Sequence, residues 1–175
     1  MPSTKKPKRV DLSHTVMTEM VMPNDTNAMG NLMGGNLLRW MDIASAICAG
    51  KHCETYVVTA SVDHVSFQRP IRLGDVVTIE ATATRAFRTS IEIHVEVFAA
   101  NIKGGNSRRC NQAYYTFVGL DDEGQPTLIP PVLPLNEIEQ QRYEAAPRRR
   151  EVRLVLSGRM KPEEASDLRS FLLDL

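Results

Sequence analysis

The stretch Asn27-Ala-Met-Gly-Asn-Leu-Met-Gly-Gly-Asn-Leu-Leu-Arg-Trp-Met41 runs straight into Asp42. From the paired glycines Gly34 and Gly35 the chain stays almost wholly apolar as far as Gly50. Inside that span Asp42 is the only acid and Arg39 the only base. The pattern predicts a helix over about Met33 to Ala49, stopped by Gly50. Apolar on most faces, such a helix needs to be surrounded rather than laid on a surface. A carboxylate is costly to bury there unless it is paired or performs chemistry. Asp42 therefore reads either as a structural partner of Arg39, three positions back on the same helix, or as a working group. The residues alone leave both readings open; the glycines suggest what a working group there would act on. Free N–H groups at a helix start hold a carbonyl oxygen as it becomes negative, and glycine lets a substrate come close to them. An oxyanion site followed two turns later by a carboxylate suits the hydrolysis of an acyl group.

Strand patterns flank this helix. His14 to Pro23 reads as a strand closed by a proline and an Asn-Asp turn. From Tyr56 to Phe67 the apolar parity changes after Val58, Ala60 and Val62, which predicts a bulge near Asp63-His64. Asp75 to Ala86 places Val77, Ile79, Ala81 and Ala83 on one face, and Ser90 to Ala99 does the same with Ile91, Ile93, Val95 and Val97. The opposite faces carry threonines, glutamates and His94, the mark of an antiparallel sheet covered on one side. Arg108 to Leu120, with Tyr114, Tyr115 and Phe117, is the last strand. The Ala86-Phe87-Arg88-Thr89 link is short enough for a hairpin. The parts predict an α+β fold, a curled antiparallel sheet wrapped around one long central helix.

Length and charge bound the rest. The 175 residues suffice for one domain with a real core, and the formal net charge of zero gives no field favouring nucleic acid or a membrane surface. No apolar run is long enough for an ordinary transmembrane helix. Residues 1–13 read as a basic, disordered leader without a signal-peptide core. Cys48, Cys53 and Cys110 are odd in number and form no Cys-x-x-Cys, as suits free thiols in the cytoplasm. His14, His52, His64 and His94 lack metal-ligand spacing, and His52, His64 and His94 read as surface or sheet-face residues. After a proline-rich crossing, Asn136 to Ala145 reads as helical. Residues 147–175 form a separate extension beyond a domain spanning 14–146, helical from Pro162 onward. Its Arg148-Arg149-Arg150 run is either a solvated face or a clamp for phosphates.

Several words in order carry a more specific likeness: Val21-Met22-Pro23, Asn27-x-x-Gly30, Gly34-Gly35, Trp40-Met41-Asp42, Val58-Thr59-Ala60-Ser61-Val62-Asp63, Phe67-x-x-Pro70, Gly74-Asp75 and Arg88-Thr89-Ser90. Each alone is a weak pattern; together, in sequence, they are specific. Over roughly Val16 to Leu120 the chain resembles the hotdog-fold acyl-CoA thioesterases, in particular the cytosolic acyl-CoA hydrolase branch. The resemblance implies hotdog units paired as dimers, themselves assembled into tetramers or hexamers, with the active site across the dimer interface. It implies acyl-CoA as substrate and neither metal nor cofactor. It assigns Asp42 as general base or nucleophile, with Asn27 of the other subunit facing it and positioning the water or the thioester. Thr59 holds the water near the carboxylate, and the Gly35 N–H, beside Gly34, is an oxyanion donor. Arg88, Thr89 and Ser90 contact the nucleotide part of CoA. Two rivals are a hotdog hydratase or dehydratase, which pairs a histidine with an acid near the helix, and a non-catalytic acyl-CoA-binding sensor. The helix has no histidine before His52, and the residues before His14 leave no space for a DNA-binding helix-turn-helix.

Overall fold

The computed structural model describes residues 5–63, 65–67 and 69–173. It divides into a unit ending at Leu133 and a second unit, Pro134–Leu175. In the first unit the elements are β1 (Lys8–Arg9), β2 (Thr15–Met20), α1 (Gly34–Cys53), β3 (Tyr56–Val62), β4 (Asp75–Ala86), β5 (Ser90–Asn101), β6 (Arg108–Leu120) and β7 (Val132–Leu133). Five of the strands form one antiparallel sheet in the order β2-β4-β5-β6-β3. All five touch α1, so the sheet curls around the helix. This is the hotdog architecture.

Alternation on β4 and β5 positions the core. Val77, Ile79, Ala81 and Ala83 pair in register with Ala99, Val97, Val95 and Ile93, and all are buried. Against them α1 packs Leu37, Trp40, Met41, Ala44 and Cys48. The other face of β5 is polar yet closed, which alternation did not foretell. Glu92 is fully buried and accepts a 2.6 Å hydrogen bond from the Thr84 hydroxyl, while the His94 ring lies 4.8 Å from that of Tyr114.

Several expected boundaries move. Helix α1 continues past Gly50, because His52 and Cys53 are buried and hold one more turn against the core. It ends at Glu54, whose backbone takes the left-handed conformation (φ 54°) and whose N–H bonds to the Gly50 carbonyl at 2.9 Å. The helix is not closed on every side: along one row at four-residue spacing Gly35, Arg39, Ile47 and Lys51 are exposed and Ile43 is half-buried. Strand β3 stops at Val62, and its bulge falls at Ala60, between Thr59 and Ser61, rather than at Asp63. His64, the other residue of the expected bulge, lies outside the described residues. Part of the expected disordered leader is ordered: β1 pairs in parallel with β7, and Val10 in the following 3-10 turn is buried. Residues 1–4 of that leader, like Leu175 of the tail, lie outside the described residues.

The second unit holds α2 (Glu137–Leu156) and α3 (Ser166–Leu173), which pack on each other. Asn136 caps α2 by accepting from the Glu139 N–H at 2.9 Å. The helix runs through Pro147 instead of ending near Ala145, so the expected division at 147 falls inside one element. The first unit ends earlier, at Leu133.

His52 is a core histidine rather than a surface one. Its Nε2 lies 3.1 Å from the Pro130 carbonyl and its Nδ1 faces the Ser13 hydroxyl at 3.4 Å. Burial holds its pKa below the ordinary value. The unfolded chain binds a proton at that site near its usual pKa of 6.5, so the stabilisation is complete above that pH and is lost as pH falls through it. Acidification from neutral to about pH 5 is expected to lower the thermal midpoint. His52→Gln, which keeps a donor for the Pro130 carbonyl, should flatten that dependence; an unchanged slope would show that protonation of His52 plays no part in it.

Candidate functional site

The start of α1 is held open. Met33, at the N-cap, offers no side-chain cap. Its own N–H goes to the Asp25 carbonyl at 2.8 Å, and Leu37 N–H closes the first helical bond onto Met33 at 3.1 Å. The Asp25 carboxylate braces this entry, accepting from Met22 N–H at 2.9 Å and from the Asn36 amide at 3.3 Å. Among the described residues the N–H groups of Gly34, Gly35 and Asn36 have no acceptor, as helix geometry dictates for an uncapped first turn. A Cβ on Gly34 would come within 3.0 Å of the Phe67 ring; one on Gly35 would meet nothing within 4 Å. Gly35 thus borders open space.

Asp42 follows Gly35 by seven residues, two turns on, and so lies on the same helix face. It is half-buried, and its Oδ1 accepts a 2.8 Å hydrogen bond from the Thr59 hydroxyl. Among the described residues it forms no ion pair with Arg39. Thr59 faces the helix because it sits opposite Phe117, which is on the inner side of the sheet. It lies on β3, the edge strand, whose Tyr56, Val58 and Val62 are exposed.

Tyr115 is the residue that sequence reading missed. It is buried, its hydroxyl lies 3.4 Å from the Leu38 carbonyl of α1, and its ring stacks on Phe117. Burial, with the negative charge of Asp42 as a second cause, pushes its phenol up to about 12. It therefore stays protonated beside the carboxylate. Its parity with Phe117, one face apart from Tyr114, was the available signal.

Among the described residues Asn27 makes no hydrogen bond to Asp42 within the chain. Its Oδ1 accepts from Met29 N–H at 3.0 Å and Asn31 N–H at 3.2 Å, and Gly30, at φ +72°, closes the turn onto the Asn27 carbonyl. The turn-forming reading of this residue holds, and it has a chemical consequence. With Oδ1 occupied, the amide can present only its Nδ2 donor outward. The Arg88-Thr89-Ser90 turn is tight, with Phe87 N–H on the Ser90 carbonyl at 2.7 Å. Ser90 lies opposite Val118, which lies opposite Val58, two strand spacings or about 10 Å away. Of the arginine run, the Arg148 guanidinium lies 3.7 Å over the Phe171 ring and Arg149 donates to the Arg142 carbonyl at 2.7 Å. Arg148 and Arg149 are thus engaged inside the second unit.

Among the described residues no group of three or more His, Cys, Asp or Glu side chains could hold a metal ion. The three cysteines are free and buried, and burial pushes Cys48 up to about 12 and Cys53 up to about 11.

The thioesterase superfamily model matches residues 29–105. The hexameric acyl-CoA thioesterase solved without ligand is 36% identical, covers 87% of this chain and 97% of its own, and superposes with a TM-score of 0.84. The chain belongs to the thioesterase superfamily. The acyl-CoA hydrolase of Staphylococcus aureus, solved with butyryl coenzyme A, coenzyme A and coenzyme A disulfide, is 35% identical over 86% of this chain and 94% of that one, with a TM-score of 0.80. Variants of that hydrolase with alanine in place of an aspartate, a threonine or an asparagine have also been solved. The cytosolic acyl coenzyme A thioester hydrolase of Rattus norvegicus is 36% identical over 79% of this chain, which spans 37% of that protein's length.

Within this superfamily member, Gly35→Ala should fold and gain stability. The added methyl meets no atom, and alanine is about 1 kcal/mol better than glycine in a helix. The thermal midpoint is expected to rise; a fall would mean that the space before Gly35 is filled in the free protein.

Proposed function

We propose that this protein hydrolyses acyl-CoA thioesters to the free acid and CoA, in a site completed by a second copy of the chain. The observation that carries the proposal is the Thr59–Asp42 hydrogen bond, in a chain whose helix-start N–H groups have no acceptor among the described residues. A thioester is already activated, so a held carboxylate and an oxyanion site suffice for its hydrolysis. The carbonyl oxygen takes the Gly35 N–H, and the Nδ2 donor of Asn27 adds a second hydrogen bond. Thr59 fixes the Asp42 carboxylate, which either removes a proton from water or attacks the carbonyl carbon itself. Tyr115 supports the backbone of α1 beneath it.

Three features support a site shared between chains. Asn27 lies in an exposed turn and, among the described residues, makes no hydrogen bond to Asp42. Gly35 and Asp42 of one chain are about 10 Å apart along the helix. The edge strand β3 and the stripe of α1 that includes Ile47 leave apolar surface open, which a paired sheet would cover. In the S. aureus hydrolase the altered aspartate, threonine and asparagine each carry a number one above Asp42, Thr59 and Asn27. That constant offset supports the same three residues here. Pairing into dimers, and their assembly into hexamers or tetramers, belongs to the same proposal.

The nucleotide of CoA is assigned to the Arg88-Thr89-Ser90 turn, at the end of the sheet where β3 begins. Gly34, whose missing side chain makes room for the Phe67 ring, lines the substrate site beside the open Gly35. A hydratase or dehydratase would need a histidine near the acid, and His52 is spent on Pro130 and Ser13 in the core. The free cysteines and the cytosolic relative support a reducing compartment, the cytoplasm; no described helix is long and apolar enough to cross a membrane.

Release of free thiol from a panel of acyl-CoAs tests the activity. Asp42→Asn should lower turnover by on the order of 100-fold or more while leaving the fold intact. Near wild-type turnover in that variant would rule out the assigned mechanism. Asn27→Asp tests the donor role: a carboxylate still accepts from Met29 and Asn31 but cannot donate. The loop should survive and turnover should fall; full activity would mean that the Nδ2 donor is not used.

A further inference from the structure

Asp75 and Arg108 form an ion pair that the reading above leaves unused. Asp75, at the start of β4, is only 4% exposed, and its Oδ2 lies 2.7 Å from the Arg108 Nη2. The same guanidinium reaches the Pro70 carbonyl at 3.3 Å and the Ala99 carbonyl at 3.4 Å. A carboxylate withdrawn from water costs stability unless it is paired and hydrogen-bonded. Asp75 is both, and what it holds is the backbone of Arg72.

Both backbone groups of Arg72 are gripped. Its N–H donates to Asp75 Oδ2 at 3.0 Å, and its carbonyl accepts from the Asp75 N–H at 3.0 Å. Gly74, at φ +80°, permits the tight reversal between them. Arg72 in turn pairs antiparallel with Asn31. The bonds flanking that pair run from Leu73 N–H to the Gly30 carbonyl at 3.0 Å and from Leu32 N–H to the Ile71 carbonyl at 2.7 Å. Asn31 then grips Asn27 in the same manner. Its N–H donates to Asn27 Oδ1 at 3.2 Å, and its carbonyl accepts the Asn27 N–H at 2.8 Å. A continuous path of hydrogen-bonded residues thus leads from Arg108 through Asp75, Arg72 and Asn31 to the Asn27 side chain.

We propose that Asp75, held by Arg108, is a positioning residue: it fixes the turn that aims the Nδ2 donor of Asn27 at the thioester carbonyl. This rests on the thioesterase reading above. The Asn27 turn is exposed and cannot hold its own aim by burial, so its place is set by the ladder to Arg72. Ile71, beside Arg72, is buried and keeps the segment on the core when the carboxylate is lost. What is lost is the register of Arg72 against Asn31, and with it the direction of the Asn27 amide. A donor displaced by about 1 Å forfeits much of the hydrogen bond it makes in the transition state.

The test is a double-mutant cycle read by thiol release from butyryl-CoA. Asp75→Ala removes the acceptor without leaving a buried charge unpaired, because the Arg108 side chain is 31% exposed. It should lower kcat by about tenfold with little change in KM, since the Asn27 donor acts at the reacting carbonyl. In an Asn27→Ala background the same change should lower the residual kcat no further. Asp75→Asn, whose amide oxygen still accepts from the Arg72 N–H, should return most of the turnover. Amide hydrogen exchange at Asn31 should quicken in Asp75→Ala while the core strands keep their protection. If Asp75→Ala does not fold, Arg108→Lys carries the same cycle. Its ammonium keeps Asp75 paired but gives up the fork that also holds the Pro70 and Ala99 carbonyls, and a severalfold loss should again be confined to the chain with Asn27 intact. Equal losses in both backgrounds, wild-type kcat in the single variant, or unchanged Asn31 exchange overturn this inference alone and assign the pair to the fold. A wild type that releases no thiol overturns the thioesterase reading, and this inference with it.

Discussion

A helix apolar on most of its faces has to be enclosed, and α1 dictates the rest of the molecule. One strand or one layer cannot cover it. Five strands wrap it, and every one of them contacts it. The sheet in turn is built from one-faced strands whose apolar side has no other partner, so helix and sheet satisfy each other. Enclosure also makes Asp42 conspicuous. A carboxylate on such a helix survives because it stays half-buried and takes the Thr59 hydroxyl, and that hydrogen bond ties the edge of the sheet to the site.

The same enclosure is incomplete, and the gaps coincide with the proposed chemistry. The helix start is uncapped, most of the row from Gly35 to Lys51 is exposed, and β3 is an open edge. A closed monomer would cap the helix and protect the edge with charge or a bulge. Here the bulge at Ala60 sits next to Thr59, so it shapes the edge at the position that meets Asp42. A fold that leaves these features open is suited to a partner that closes them.

Much of this was legible in the residues. Strong alternation fixed β4 to its ends, since one face is packed and the other carries threonines and a glutamate. The isolated acid at Asp42 and the glycine pair marked the candidate site. What periodicity missed was decided by tertiary packing. Gly50 cannot stop a helix whose next turn buries His52 and Cys53, and Lys8 and Arg9 are ordered because β7 returns beside them. Pro147 does not divide α2, although a proline inside a helix usually costs it stability. Tyr115 in a strand pattern gives no sign of its place beneath α1, which the contact of its hydroxyl with the Leu38 carbonyl sets. The roles of Asn27, Thr59 and the Arg88 turn came from family likeness, because an asparagine in a turn and a threonine in a strand carry no chemical signal alone.

The central claim is that the reacting groups come from two chains, and subunit mixing tests it most directly. Asn27→Ala and Asp42→Asn are each expected to be inactive by themselves. When the two are mixed under conditions where subunit exchange is demonstrated independently, each mixed pair should contain one site with both Asn27 and Asp42 intact. Thiol release from acyl-CoA should then return to a fraction of the wild-type rate. No recovery despite exchange would mean that both residues serve one chain, contradicting a site built across the interface.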